Sequence, residues 1–89
     1  MDRPWLLNVG NNNFLNASKI LSVSAPDAIS VKRTLKAAIK DGLVLDFTGA
    51  LKTRCLIICE NGVVIRSPLR TIDLERRLNT FDNSIKLAP

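Results

Sequence analysis

The sequence predicts a small α+β fold: a mostly antiparallel sheet of about five short strands, one long amphipathic helix and a short C-terminal helix. Two β-branched apolar runs flank an Asn-Gly dipeptide, and a central stretch repeats apolar residues at helical spacing. The other apolar segments are short and bounded by turn-forming residues. We predict one domain over residues 1–80 and a frayed tail over residues 81–89.

Three short strands are predicted outside the central hairpin. They are Leu6–Val9, Ile20–Ser24 and Leu43–Phe47. Gly10 and the three asparagines at 11–13 favour a turn after the first strand. In the second strand, alternation puts Leu21 and Val23 on the same face.

A helix is predicted from about Ala28 to Asp41, between a Pro-Asp start signal and Gly42. Its apolar stripe consists of Ala28, Val31, Leu35, Ala38 and Ile39. A separate cationic face consists of Lys32, Arg33, Lys36 and Lys40. This face either binds phosphates or is a solvated surface, and the lack of interleaved aromatic residues favours solvation. A second, short helix is predicted from Ile72 to about Asn79.

The centre of the chain, Arg54–Ser67, is predicted to be a β-hairpin, because Asn61-Gly62 tolerates the positive φ angles of a type I′ turn. A two-residue loop sets the pairs Cys59–Val64, Ile58–Ile65, Ile57–Arg66 and Leu56–Ser67. One face then carries Cys55, Ile57, Cys59, Val64 and Arg66, and the other carries Leu56, Ile58 and Ile65. Both faces are mostly apolar. A helix can cover one, and the other needs a second helix or another protein chain.

The charge balance is basic, since 13 Lys and Arg stand against 8 Asp and Glu, a formal charge of +5. Such an excess favours polyanions such as nucleic acid, but on charge alone a basic surface is the preferred interpretation. No apolar run approaches the length of a membrane span. Residues 1–5 lack the apolar core of a signal peptide. We therefore expect a cytoplasmic protein without a membrane partner.

The residue types argue against an enzyme. Without histidine, the usual general base and the His-dependent nucleophile systems are absent. Cys55 and Cys59 would lie about 13 Å apart on one strand, too far for a disulfide or a shared metal, and are expected to be buried. Asp46, in an apolar strand, either faces solvent or pairs with an arginine. We expect no catalytic residue, no cofactor and no metal.

Several short motifs occur in an order that resembles the RemA family of bacterial extracellular-matrix regulators. They are Leu-Asn-Val-Gly at 7–10, Asn-Ala-Ser-Lys-Ile at 16–20, Ser-Ala-Pro at 24–26, Val-Lys-Arg at 31–33, Gly-Leu-Val-Leu-Asp at 42–46, Lys-Thr-Arg at 52–54, Val-Ile-Arg-Ser at 64–67 and Arg-Leu at 77–78. The resemblance covers roughly residues 6–78. No single motif is specific, but their order and spacing together are.

The resemblance implies a DNA-binding transcription regulator that activates biofilm-matrix operons. It implies double-stranded DNA as the partner, assembly into homo-oligomeric rings, and a fold similar to the LytTR DNA-binding domain. Lys19, Lys52 and Arg54 match positions of DNA-contacting arginines in the family, whereas Leu51 replaces one. Arg66 lies where the family tends to be apolar, and it adds charge.

These positions carry separate expectations. For Lys52 we prefer DNA contact over a solvated surface, and Lys19 suits both. For Leu51 an oligomer interface or loop packing is preferred. The full set expected at the interface is Leu51, Cys55, Ile57 and Val64.

Two functions remain open from the sequence. The first is a ring-forming DNA-binding regulator, in which many weak contacts add up. The second is an oligomeric interaction module that has kept the fold and lost DNA binding, as Leu51 suggests. RNA binding is a weaker third alternative, because no aromatic platform for stacking bases is visible.

Overall fold

The computed structural model describes residues 6–87, and the side chains of residues 6–80. The strands are β1 (Leu6–Asn8), β2 (Phe14–Asn16), β3 (Ile20–Ser24), β4 (Val44–Asp46), β5 (Cys55–Cys59) and β6 (Val64–Ser67), and the helices are α1 (Ile29–Lys40) and α2 (Thr71–Leu87). The predicted α+β class is confirmed. β2 is a strand that the sequence did not predict, and it pairs with β1 in a separate two-stranded sheet.

The main sheet has four strands in the order β3-β5-β6-β4. β5 is antiparallel to both β3 and β6, whereas β4 is parallel to β6. The two edge strands, β3 and β4, are therefore parallel to each other, and α1 connects them as a split β-α-β unit. Two parallel strands begin at the same end of a sheet. α1 therefore runs from the end of β3 back across the sheet to the start of β4.

The boundaries of α1 follow its capping residues. Ala28 is the N-cap residue, with no side-chain hydrogen bond to the helix. Pro26 and Asp27, the predicted start signal, form the turn before it and lie outside the first helical turn. At the other end, Gly42 adopts a φ of 71°, the left-handed conformation that ends a helix after its C-cap.

The register of the hairpin differs by one residue from the predicted one. Cys59 N–H donates to the Val63 carbonyl at 2.8 Å, so the loop contains three residues, 60–62. The observed pairs are Cys55–Ser67, Leu56–Arg66, Ile57–Ile65 and Ile58–Val64. Asn61 and Gly62 do have positive φ angles, of 72° and 80°, but Glu60 joins them in the turn. A one-residue slip moves every side chain of one strand to the other face, so the predicted faces were wrong for β6.

The corrected register separates two apolar clusters, one on each face of the main sheet. One contains Leu56 and Val64 with Val31 and Ala38 from α1. The other contains Leu7, Val9, Cys55, Ile57, Cys59, Ile65 and Leu74. The second face is therefore covered by β1 and by the second helix, α2, within one chain.

This packing corrects three of the predicted interface residues. Cys55, Ile57 and Val64 each have 0% of their surface exposed in the single chain. A side chain that is already in the core cannot be offered to a second copy without unfolding. The apolar character of the hairpin thus reflects burial on both faces, not a missing partner.

The edge strand β3 contains a bulge. Its pairing with β5 shifts between Ile20 and Ser22, which leaves Leu21 without a partner. Val23 packs against the core cluster, but Leu21 is 65% exposed. The two side chains therefore differ in burial: Val23 reaches the core cluster, and Leu21 stays largely exposed.

The C-terminal helix is longer than predicted. α2 begins at Thr71, and its helical backbone continues to Leu87, past the expected end near Asn79. Leu74 is fully buried, as expected, and Leu78 packs beside the same cluster. Of the predicted tail, residues 81–87 are helical and residues 88–89 lie outside the described part of the chain.

Candidate nucleic-acid interface

The loop between β4 and β5 is held in shape by Asp46. Its Oδ1 accepts hydrogen bonds from the backbone N–H and the hydroxyl of Thr48, and Thr48 is only 4% exposed. The Thr48 carbonyl accepts from the N–H of Leu51 at 2.9 Å. The loop therefore follows a defined path that presents Leu51 and Lys52 to solvent.

Asp46 is a structural group of this loop. The hydrogen bonds from the side chain and backbone of Thr48, and then the charge of Arg66, lower the pKa of Asp46, while desolvation opposes them. The carboxylate is exposed and ionised at neutral pH. The sequence left two alternatives for Asp46, a side chain facing solvent or one paired with an arginine, and the side chain faces solvent. Its hydrogen-bond partner is Thr48.

Two arginines lie beside this loop on the α1 side of the sheet. Arg54 N–H donates to the Ser67 carbonyl at 2.9 Å, which extends the β5–β6 ladder by one residue. Alternation places the Arg54 side chain on the face of Leu56, and Arg66 pairs directly with Leu56. Arg66 is half-buried, and its Nε has no hydrogen-bond partner among the described residues. Arg66 therefore keeps an unused donor.

Lys19 lies elsewhere. It ends a short 3-10 turn, Ala17–Lys19, that Asn16 caps by accepting from the Ser18 N–H at 3.0 Å. Its Nζ is 3.6 Å from the Glu60 carboxylate, and both side chains are about half exposed. Lys19 is thus partly neutralised by an acid on the hairpin turn.

The structure brings together three of the four predicted DNA-contacting residues. Lys52, Arg54 and Arg66 lie at the end of the sheet where β5 begins. Lys19 lies next to Ile20, which pairs with Cys59 at the end of β5. The length of β5, about 13 Å, separates the two ends. One chain therefore presents one positive region at this end of the sheet, and Lys19 lies apart from it beside Glu60.

An open cleft of about 480 Å³ separates β3 from α2. Its apolar walls include Ile20, Leu21, Val23, Ile72 and Leu78, and the one titratable side chain among its lining residues is Glu75. A single carboxylate without a basic or nucleophilic neighbour is not an acid–base pair. The cleft is a groove of mixed polarity beside an open sheet edge, since Ser22, Thr71 and Asn79 also line it.

The two thiols and the acidic groups do not form a chemical site. Burial raises the pKa of both Cys55 and Cys59, which keeps them in the thiol form, and both are free. Within residues 6–80 no three His, Cys, Asp or Glu side chains are grouped as metal ligands. No helix in the described part of the chain is long and apolar enough to cross a membrane.

Comparison with known proteins gives one consistent result. The family model described as RemA-like, extracellular matrix regulatory protein A-like, matches residues 6–78. Proteins provisionally designated regulatory proteins in Bacillus cytotoxicus, Bacillus mycoides and Bacillus cereus are each 34% identical to this chain over 77 residues. That alignment covers 86% of this chain and 88% of each relative.

Proposed function

The chain belongs to the RemA-like family, and on that basis we propose that it is a DNA-binding transcription regulator that works as a homo-oligomeric ring and activates extracellular-matrix genes. Family membership confirms the resemblance that the motifs indicated, and the names of the relatives support a regulatory role. The single observation that carries the proposal is the family match over nearly the whole folded domain.

The proposed DNA contacts are the cations at the end of the sheet where β5 begins. Lys52 and Arg54 are exposed, and the loop that carries Lys52 is fixed by Asp46 and Thr48. Lysine and arginine in such positions suit phosphate contacts, which position a protein on the duplex but carry no sequence information. Arg66 is half-buried and its Nε is buried, so its contribution is positive charge beside the loop. Lys19 would have to exchange Glu60 for a phosphate.

Two features of the single chain support self-association: it has few phosphate-contacting cations, and it exposes several leucines. Three or four phosphate contacts per chain give weak binding, and several chains on one duplex would multiply it. Leu51 is 59% exposed beside Lys52. The two edge strands carry exposed leucines as well, Leu21 at 65% and Leu45 at 48%. Of the interface residues expected from sequence, the proposal retains Leu51 and assigns the other three to the core.

A second candidate function is an oligomeric interaction module that no longer binds DNA. Leu51, an exposed apolar residue where the family resemblance expects an arginine, favours it. The two candidate functions share the fold and the assembly. They differ only in whether the loop that carries Lys52 binds DNA.

The experiment that separates them is a titration of duplex DNA with the full-length protein. We expect fluorescence anisotropy with AT-rich promoter fragments to show binding that weakens steeply between about 50 and about 200 mM salt. Light scattering on the same samples measures the mass of the assembly. An assembled protein that does not bind any fragment at low salt would establish the second candidate.

A further inference from the structure

The outer face of α1 carries a cluster of positive charge. Over its twelve residues, Ile29–Lys40, the helix carries four cations and no acid. These four, Lys32, Arg33, Lys36 and Lys40, are all exposed. At about 100° per residue they span roughly 100° of the helix circumference. The buried residues Val31 and Ala38 lie on the opposite side. We call the four cations the α1 cationic face.

No side chain described in the structure neutralises this face. The ion pairs within residues 6–80 are Lys19–Glu60 and Arg70–Asp73, both outside α1. Asp41 follows the last residue of the helix. It lies about 100° around the helix axis from Lys40, outside the arc that holds the four cations. Like charges three or four residues apart on a helix repel one another. A solvated helix normally reduces this repulsion by placing Glu among the Lys residues. The sequence of α1 contains no such alternation.

The α1 cationic face continues the positive region proposed to meet DNA. β3 ends at Ser24, which pairs with Leu56, only two residues from Arg54. The first turn of α1 therefore lies at the same end of the sheet as Arg54 and Arg66. Both arginines also project from the sheet face that α1 covers. The positive N-terminal end of the helix dipole adds to the potential there.

The charges of the α1 cationic face form a row along the helix. Lys32, Lys36 and Lys40 recur about every 6 Å along the helix axis, and a row of cations suits an extended polyanion such as the phosphate backbone of DNA. Two isoleucines of α1 are exposed, Ile29 at 82% and Ile39 at 53%. They lie about 15 Å apart along the helix axis, so they give little continuous area to insert into a membrane, whose interfacial helices have a broad apolar face. Val31 and Ala38, on the opposite side of α1, are already in the core.

We propose that the α1 cationic face is a second contact surface for the DNA phosphate backbone, continuous with the loop that carries Lys52. This inference rests on the proposed function, and it adds residues that the resemblance did not point to. Each chain would hold the duplex with the sheet-end cations and with one side of the helix.

The test compares two double variants with the same change in net charge. Lys32→Gln with Lys36→Gln removes two cations from α1. Arg70→Gln with Arg76→Gln removes two exposed cations at the start of α2, of which Arg70 precedes the helix and pairs with Asp73. Glutamine forms helix about as well as lysine or arginine, so both variants should fold. Circular dichroism and thermal melting check this before binding is measured.

We expect the α1 double variant to reduce the slope of log K against log salt by up to about 1.8 per bound chain, since each phosphate contact contributes about 0.9. The α2 double variant should leave the slope within error of the wild type. Equal slopes for the two variants would overturn the inference. So would unchanged DNA binding by the α1 variant combined with loss of binding to anionic lipid vesicles.

The result also separates this inference from the proposed function. If wild-type protein binds DNA and Lys52→Glu weakens it while the α1 variant does not, the regulator proposal stands and the α1 surface is rejected. If wild-type protein binds no DNA at low salt, both are rejected.

Discussion

Ser67 and Val9 are joined by a buried hydrogen bond: the Ser67 hydroxyl donates to the Val9 carbonyl at 2.7 Å. The same oxygen accepts from the Leu69 N–H at 3.1 Å. Both Ser67 and Val9 are fully buried. This bond ties the last residue of β6 to the residue that follows β1, and so fixes the small sheet on the main one.

Replacing Ser67 with alanine should therefore destabilise the domain. Ser67→Ala leaves the Val9 carbonyl and the Leu69 N–H without their partner, and a buried unsatisfied polar group costs about 1–3 kcal/mol. Urea denaturation of wild type and variant measures the difference. Ser22→Ala, at an exposed position of β3, is the matched control and should change stability little. Equal stability of the two variants would contradict the structural role of this bond.

The pH dependence of stability should include a contribution from Asp46. Because the pKa of Asp46 is lower in the folded chain than the ordinary value of 3.8, its stabilisation is present above that value and is lost as the pH falls through the folded pKa. Asp46→Asn should remove this contribution. The difference in unfolding free energy between wild type and Asp46→Asn should thus be largest above pH 4 and shrink in more acidic buffer.

Asp27→Asn is the control for that measurement, since the Asp27 side chain has no hydrogen bond or ion pair among the described residues. Asp73, whose pKa is lowered chiefly by its hydrogen bond with Arg70, contributes in the same pH range and remains in both variants. A pH-independent difference for Asp46→Asn would mean that the Thr48 contacts do not favour the ionised carboxylate.

Reversing the charge of Lys52 should weaken DNA binding. Lys52→Glu replaces a phosphate-contacting cation with a repelling anion, so we expect lower affinity and a salt slope smaller by about 0.9 per bound chain. Arg76→Glu makes the same charge change on α2, and its effect should be smaller. Anisotropy titrations of both variants at matched salt provide the measurement. Identical losses would show that only net charge matters, not the position of Lys52.

Leu51 and Ile57 should respond to mutation in different ways. Leu51 is 59% exposed, so Leu51→Glu should leave the fold intact and reduce the mass of the assembly in light scattering. Ile57 is 0% exposed, so Ile57→Ala should lower the unfolding free energy by about 2–5 kcal/mol. A stable Ile57→Ala protein that dissociates into monomers would restore the interface role expected from sequence.

The candidate site was partly predictable from the sequence. Motif order identified the family and pointed to Lys52 and Arg54, which the structure places beside each other at one end of the sheet. The separation of Lys19 was not predictable, because it depends on which end of β5 each loop reaches. The ion pair of Lys19 with Glu60 joins residues far apart in the chain, and no local pattern encodes such a contact.

Residue preferences and spacing were enough to predict the β5 and β6 runs, the amphipathic α1 with its two faces, and the turn-forming character of Asn61 and Gly62, whose φ angles are positive. These features depend on a few neighbouring residues. The β6 side chains that share a face with Cys55 could not be predicted in this way, because Glu60 enters the turn and shifts the ladder by one residue. Nor could the packing of α2 and β1 over the second face. Closing a turn and choosing a packing partner depend on contacts across the whole chain, and local spacing does not contain them.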